Sequence, residues 1–293
     1  SKYDHKNPGV VASAMYFDDL YTECICDLIH VHPNTLKTFY KVVGSKRFMI
    51  ITDALLAKHS DVDEFKLEAR ITGIPDIYRE SRIHALNQKE IAIRYAKKNG
   101  CKYEDLNLVI CHIGGGISIA AHNHGKMIDC NDIVNGDGPM TPNRSGFVPA
   151  KPLISMCFSG KYTEKDIKAL INKNGGITAW LGTNDMREVN KMIEEGNTKA
   201  KVIYDAMIYQ IAKQIGAMYV ALKCNCSAII LTGGISNDPY LVKNLKKYIK
   251  NLSKVVVMPG EFELEALSAG AFRVLKKLEK EKTYTGKPVF KGL

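Results

Sequence analysis

The stretch LNLVICHIGGGISIAAHNHGKMIDCN (residues 106–131) constrains this 293-residue chain more than any other. Three short apolar or alternating runs are divided by Gly114-Gly115-Gly116 and by His124-Gly125, which reads as a three-stranded meander with two tight turns. His122 and His124 flank the second turn and are expected to be exposed. Mostly helical sequence follows, and then a strand SAIILTGGIS that ends on Gly233-Gly234, a helix DPYLVKNLKKYIKNL, a strand KVVVMPG and a final helix from Glu261. A meander joined through helices to a later parallel strand predicts an α/β fold with a mixed sheet. Glycine loops at the ends of neighbouring strands can share one crevice.

Successive glycines let backbone N–H groups approach an anion with no side chain between, so Gly114 to Gly116 read equally as a phosphate cradle or a structural hairpin. No Lys-Ser/Thr follows, which excludes the Walker pattern, and a strand stands where G-x-G-x-x-G needs a helix. The second site, LTGGISNDPYL, tips the balance toward a nucleotide. There Ser236, Asn237 or Asp238 can cap a helix that starts near Pro239, and a helix start beside glycines favours anions. Between the two lies DIVNGDGPMTPNRSGFVP, a long Gly/Pro/Asn-rich loop whose Arg144 can grip a carboxylate or phosphate through two N–H groups. His112, just before the glycines, and His84 in SRIHALNQK are candidate donors to a transferring phosphoryl group.

The remaining segments fix the frame. Residues 1–60 predict a helix at 18–25, a strand LIHVHP, a helix NTLKTFYKVVG closed by Gly44 and a strand RFMIITDA, a β-α-β piece too short to be a parallel α/β domain. From Asp61 come a helical segment, a turn TGIPDI, and a helix LNQKEIAIRYAKKNG closed by Gly100. Further helices are expected at KPLISMCFSG, TEKDIKALINK, NDMREVNKMIEEG and TKAKVIYDAMIYQIAKQIGAMYVALK. The lysines behind the net charge of +10 are scattered along the chain and concentrate mainly in a Lys/Glu-alternating tail, which reads as a solvated helix end and not as a nucleic-acid surface. Eight cysteines, with C-x-C pairs at Cys24/Cys26 and Cys224/Cys226 but no C-x-x-C, suit a reducing cytoplasm. No signal-peptide pattern and no apolar run of about 18 residues is seen, so neither export nor a membrane is expected.

The ordered motifs LEARITGIPDIYRESRIHALNQKEIAIRYAKKNG, CHIGGGISIAAHNHGKMIDCND, GDGPMTPNRSGFVP, CFSGKYT, LGTNDMREVNKMIEEG, AMIYQIAKQIGAM, LTGGIS and PGEFELEALSAGA resemble the butyrate kinase family, of the acetate kinase group. That group belongs to the sugar kinase, heat-shock chaperone and actin superfamily. The resemblance implies an actin-like (ribonuclease H-like) ATPase domain with a mixed sheet and flanking helices at 61–293, preceded by a short α/β fragment at 1–60. It implies ATP, Mg²⁺ and reversible phosphoryl transfer to a short-chain carboxylate such as butyrate, giving ADP and butanoyl phosphate, in a cytoplasmic homo-oligomer. His84 then matches the histidine that steadies the transferring phosphoryl group, and Arg144 the arginine that meets substrate and transition-state charge. His112 with Gly114, Gly115 and Gly116 matches the phosphate-binding turn, and Gly233 and Gly234 match the adenosine-side loop. Glu263 and Glu265 are equal candidates for the Mg²⁺-linked glutamate. With no Walker lysine, Mg²⁺, His84 and Arg144 are expected to supply the positive charge.

Only Asn7-Pro8-Gly9 matches that family's first phosphate loop, N-P-G-S-T-S-T-K, so a non-catalytic nucleotide-binding or interaction module is the competing expectation. Residues 7–57 instead resemble a piece of the N-acetylglucosamine-6-phosphate deacetylase barrel, with His30 at its substrate-side histidine and Asp53 at its catalytic aspartate. That family's metal ligands come from earlier strands, so a deacetylase remnant is expected to be inactive. Asp53 also has a place as the strand-end catalytic aspartate of an acyl-phosphate kinase.

Overall fold

The computed structural model describes residues 16–19, 22–25, 33–51, 65–80, 82–278 and 280. They fall into two units, one up to Ser60 and one from Asp61 onward. His30 and Asp53 lie outside the described residues.

In the first unit, strand β1 (Thr22–Ile25), helix α1 (Pro33–Val43) and strand β2 (Phe48–Ile51) form a β-α-β piece whose strands pair in parallel, Thr22 opposite Phe48. The helix expected at 18–25 is corrected here: the chain is extended from Thr22, because ladder hydrogen bonds to β2 occupy its backbone and β-branched Thr22 and Ile25 favour that state. On α1, Leu36, Phe39 and Val43 recur at helical spacing and are buried. Gly44, at φ +76°, ends the helix by donating to the Tyr40 carbonyl at 2.9 Å.

The second unit opens with a single 3₁₀ turn, Leu67–Ala69, where a longer helix was expected. None of its residues is buried, so no apolar face sustains further turns. Helix α2 (Ala85–Lys98) leads into the meander β3 (Asn107–Ile113), β4 (Ile117–Asn123) and β5 (Lys126–Cys130). Then come α3 (Ala150–Cys157), α4 (Glu164–Asn172), α5 (Gly176–Leu181), α6 (Met186–Glu194) and α7 (Thr198–Ala221). Strand β6 (Ala228–Thr232), α8 (Pro239–Ile249), β7 (Val255–Val257) and α9 (Glu263–Leu275) complete it. The sheet order is β5-β4-β3-β6-β7, antiparallel within the meander and parallel from β3 to β6 to β7.

Strand β3 is buried along its whole length, and its two faces feed different cores. Val109, Cys111 and Ile113 pack with Ile229 and Leu231 under α7 and α8, meeting Tyr204, Met207, Ile211, Leu241 and Leu245. Leu108 and Ile110 face the other way with Ala228 and Ile230, against Ile91, Ala92 and Tyr95 of α2. Period-2 alternation on a strand covered on both sides explains why Leu108 to Cys111 are apolar without a break. His112 is even-numbered and so falls on the α2 side.

Candidate functional site

The register that builds the core also builds the site. His112 pairs with Thr232 across the parallel β3/β6 ladder, so the two glycine turns emerge side by side at one sheet end. The backbones touch: Gly233 has φ +86°, and a Cβ there would stand 2.5 Å from the Ile113 carbonyl oxygen. Only glycine fits such an approach. Gly233 N also donates to the Gly260 carbonyl at 3.1 Å, drawing in the turn after β7. That turn sets Glu261 Oε1 3.7 Å from where a Gly234 Cβ would be.

Gly114 to Gly116 close the β3/β4 hairpin, with Ile113 opposite Ile117 and Gly114 N donating to the Gly116 carbonyl at 3.1 Å. None of the three needs a left-handed φ. What glycine gives here is room. A Cβ on Gly116 would lie 3.5 Å from both Arg144 Cζ and His84 Cε1, and one on Gly114 would lie 3.3 Å from His112 Nε2. Hairpin and open cradle are therefore one object, and His84, His112 and Arg144 surround it.

His84 stands at the N-terminal cap of α2, and its ring stacks on that of His112 with centroids 4.0 Å apart. Its Nδ1 lies 2.9 Å from Ser118 Oγ, while His112 Nδ1 lies 3.0 Å from Asn87 Oδ1. Burial first, then His112 and Arg144, push the His84 pKa from 6.5 down to about 3. Burial takes His112 down to about 4. Both rings are neutral near pH 7, which corrects one expectation: His84 carries no positive charge here.

The positive charge is Arg144. Its loop is laced to the turn by Thr141, whose hydroxyl donates to the Gly115 carbonyl at 2.7 Å and accepts from Arg144 N at 3.0 Å. The loop is further tied by Met140 N to Gln210 Oε1 at 2.8 Å, and by Arg79, which spans Asp137 and Asp129 at 3.0 and 3.1 Å. Arg144 Nη1 donates to the Ile133 carbonyl, but its Nε is buried with no hydrogen-bond partner. Burial lowers the Arg144 pKa, opposed by Asp132. An unmatched guanidinium N–H against a turn stripped of side chains is an anion-binding arrangement.

His122 corrects a second expectation. It is fully buried, its Nδ1 2.6 Å from Tyr103 Oη and its Nε2 3.0 Å from Gln88 Oε1. Its place near a hairpin tip suggested exposure, yet on β4 it shares the α2-facing side with Ser118 and Ala120. His124 is exposed, at φ +46°.

Beyond Gly234, Asp238 caps α8 by accepting from Tyr240 N at 2.8 Å, with Pro239 in the first turn. Of the three residues offered as caps, it is the one used. Its other oxygen holds Tyr204 Oη at 2.5 Å and Asn190 Nδ2 at 2.8 Å. A cavity of about 460 Å³ opens between this loop and the start of α6, lined there by Asn184, Asp185 and Arg187. The sequence signal for that wall was the TND step before an amphipathic helix, an N-cap pattern. Glu265 is exposed on α9, and Glu263 stands at that helix's first position. Among the described residues no group of three or more His, Cys, Asp or Glu converges to hold a metal ion. No described helix is long and apolar enough to cross a membrane.

Known proteins share both the fold and the sequence. Acetate kinase from Porphyromonas gingivalis superposes with a TM-score of 0.70 at 20% identity, over 81% of this chain and 67% of that one. Propionate kinase from Francisella tularensis gives 0.68 at 21% identity, over 80% and 66%. These likenesses show the fold, which is actin-like as the sequence resemblance implied. A protein named "Probable butyrate kinase" in Phocaeicola vulgatus is 49% identical over 223 residues, 76% of this chain and 63% of its own length. One of the same name in Clostridium botulinum is 48% identical over 222 residues, 76% and 62%. The chain thus spans less than two thirds of these relatives. Residues 77–259 match the model of the Acetokinase family, a span that holds both glycine turns, the two stacked histidines and Arg144, and the chain belongs to that family.

Proposed function

We propose that this chain carries the nucleotide-binding and phosphoryl-positioning half of a butyrate kinase. In that reaction a carboxylate oxygen of butyrate forms a bond to the γ-phosphorus of ATP while the bond to the ADP oxygen breaks, giving butanoyl phosphate and ADP. The observation that carries the reading is the space over Gly116, walled by His84 and by Arg144 with its unmatched Nε. Phosphoryl transfer needs placement and charge neutralisation more than covalent help, and those are what these groups offer.

Each residue has a task in this reading. Arg144 faces the charge that spreads over the equatorial oxygens. His84, neutral, gives one of those oxygens a hydrogen bond, and the stacked His112 keeps its ring in place. The glycines let the phosphates rest on backbone. The cavity beside Gly234 has the volume of a small-molecule site and suits the nucleoside. Mg²⁺, which usually takes one or two carboxylates plus phosphate oxygens and water, would supply charge neutralisation of the phosphates when bound. Glu261 beside Gly234, or Glu263 or Glu265, would supply its carboxylate. The cytosol, with its ATP, is the setting of this reading.

A hydroxamate assay for acyl phosphate, with ATP, Mg²⁺ and acetate, propionate or butyrate in parallel, tests it. The expected result is product, with butyrate preferred. That only Asn7-Pro8-Gly9 matches the family's first phosphate loop favours a second reading, a nucleotide-binding module without turnover. No product with any acid, with ATP binding retained in calorimetry, would establish that one and overturn the first.

A further inference from the structure

We infer that a buried relay of Tyr103, His122, Gln88 and Ser118 fixes the tautomer of His84, leaving its ring proton on Nε2. The catalytic consequence rests on the kinase reading above; the tautomer itself does not.

The logic starts at Gln88, which is wholly buried. Its Nε2 lies 3.1 Å from the Ser118 carbonyl oxygen and 3.4 Å from that of Ile110. Backbone carbonyls only accept, so the amide orientation follows from the chain and not from choice. Gln88 Oε1 therefore faces His122 Nε2 at 3.0 Å, and that nitrogen must carry a proton. Burial keeps His122 neutral. Its Nδ1 is then bare and accepts from the Tyr103 hydroxyl at 2.6 Å.

The other end follows in the same way. Gln88 Nε2 is also 3.1 Å from Ser118 Oγ, which accepts. Among the described residues, the acceptor within reach of the Ser118 hydroxyl proton is His84 Nδ1, at 2.9 Å. Ser118 donates to it, so a neutral His84 holds its proton on Nε2. Gln88, Ser118 and His122 are 0% exposed, so water does not offer an alternative set of partners. The alternation of β4 makes this possible: Ser118 and His122 share one face, four residues apart, and Gln88 comes down on them from α2. Ser118 and Gln88 are positioning residues; they act on the phosphoryl group only through His84.

Imidazole ¹⁵N spectra of the full chain with labelled histidine test this, with His84 assigned from the signals lost in His84→Gln. The expected spectrum at pH 7 shows His84 with a bare Nδ1 and a protonated Nε2. A proton on Nδ1, or averaged shifts from exchange between tautomers, would overturn the inference. In Ser118→Ala the His84 signals should move toward averaged values; wild-type signals there would show that Ser118 does not set the tautomer. Where the chain turns over, the same variant should lose about 10-fold in kcat, the scale for a group that orients a functional histidine, with KM for ATP unchanged. A chain with no kinase activity but the expected spectrum would overturn the kinase reading and leave this inference standing.

Discussion

Acidification should unfold this protein through its histidines, and the size of the effect follows from three rings. His84, His112 and His122 are neutral in the fold, with pKa values pushed from 6.5 to about 3, 4 and 3. The unfolded chain takes up those protons through pH 6.5, while the fold does not until pH 3 to 4. More protons are bound by the unfolded state in that window, so stability is full above about pH 7 and falls as pH drops. Between pH 7 and 5.5 each ring costs slightly more than about 1 kcal/mol, so the three together cost about 3 to 4 kcal/mol. Urea unfolding at a series of pH values, followed by circular dichroism and by fluorescence of the single tryptophan, Trp180 in α5, measures this in the unit that holds the histidines. His122→Gln keeps a donor for Gln88 and an acceptor for Tyr103 but cannot titrate, so its pH dependence should be shallower by about 1 kcal/mol over the same range. The difference between the two chains cancels the carboxylates. Identical slopes, or stability flat to pH 5.5, would refute the claim that these rings are buried neutral.

Arg144→Ala should lower kcat by about 10²-fold or more while the Kd for ATP changes little, the signature of a contact made to transition-state charge; equal losses in both would assign it to binding or folding instead. The two glycine turns should respond in opposite ways to an added methyl group. Gly116→Ala meets only ordinary contacts at 3.5 Å, so thermal melting should be unchanged while turnover falls about 10-fold as the methyl crowds the phosphoryl position. Gly233→Ala must both hold φ +86° and clear the Ile113 carbonyl, so it should destabilise the fold by more than about 1 kcal/mol, visible as a lowered urea midpoint.

Much of the second unit could be read from residues because local signals and burial agree there. The meander, the Gly100 and Asp238-Pro239 boundaries and the long α7 all carry their own punctuation. Two segments misled: the turn at Leu67–Ala69, with no buried residue, looked longer than it is, and Thr22–Ile25 is extended because of a partner strand more than twenty residues away. Helix α5, six residues between glycines, is too short for any periodicity to show. In the site, Arg144 was legible as the one basic residue in a Gly/Pro/Asn loop, and His84 and His112 by their neighbours. Gln88 was missed although it lies on the same stripe as Ile91, Ala92 and Tyr95, and a polar residue on an apolar stripe marks a buried partner. His122 was misplaced because its nearness to a turn outweighed its parity with Ser118.

The contact of Gly233 with the Ile113 carbonyl ties the two turns to a common fate under mutation. A one-residue insertion in β3 or β6 would exchange the cores on its two faces and slide one turn past the other, so neither strand can drift alone. Length variation among descendants of this chain should therefore collect in stretches that leave this register untouched, such as residues 158–163, while the β3/β6 pair is inherited as a single indivisible part.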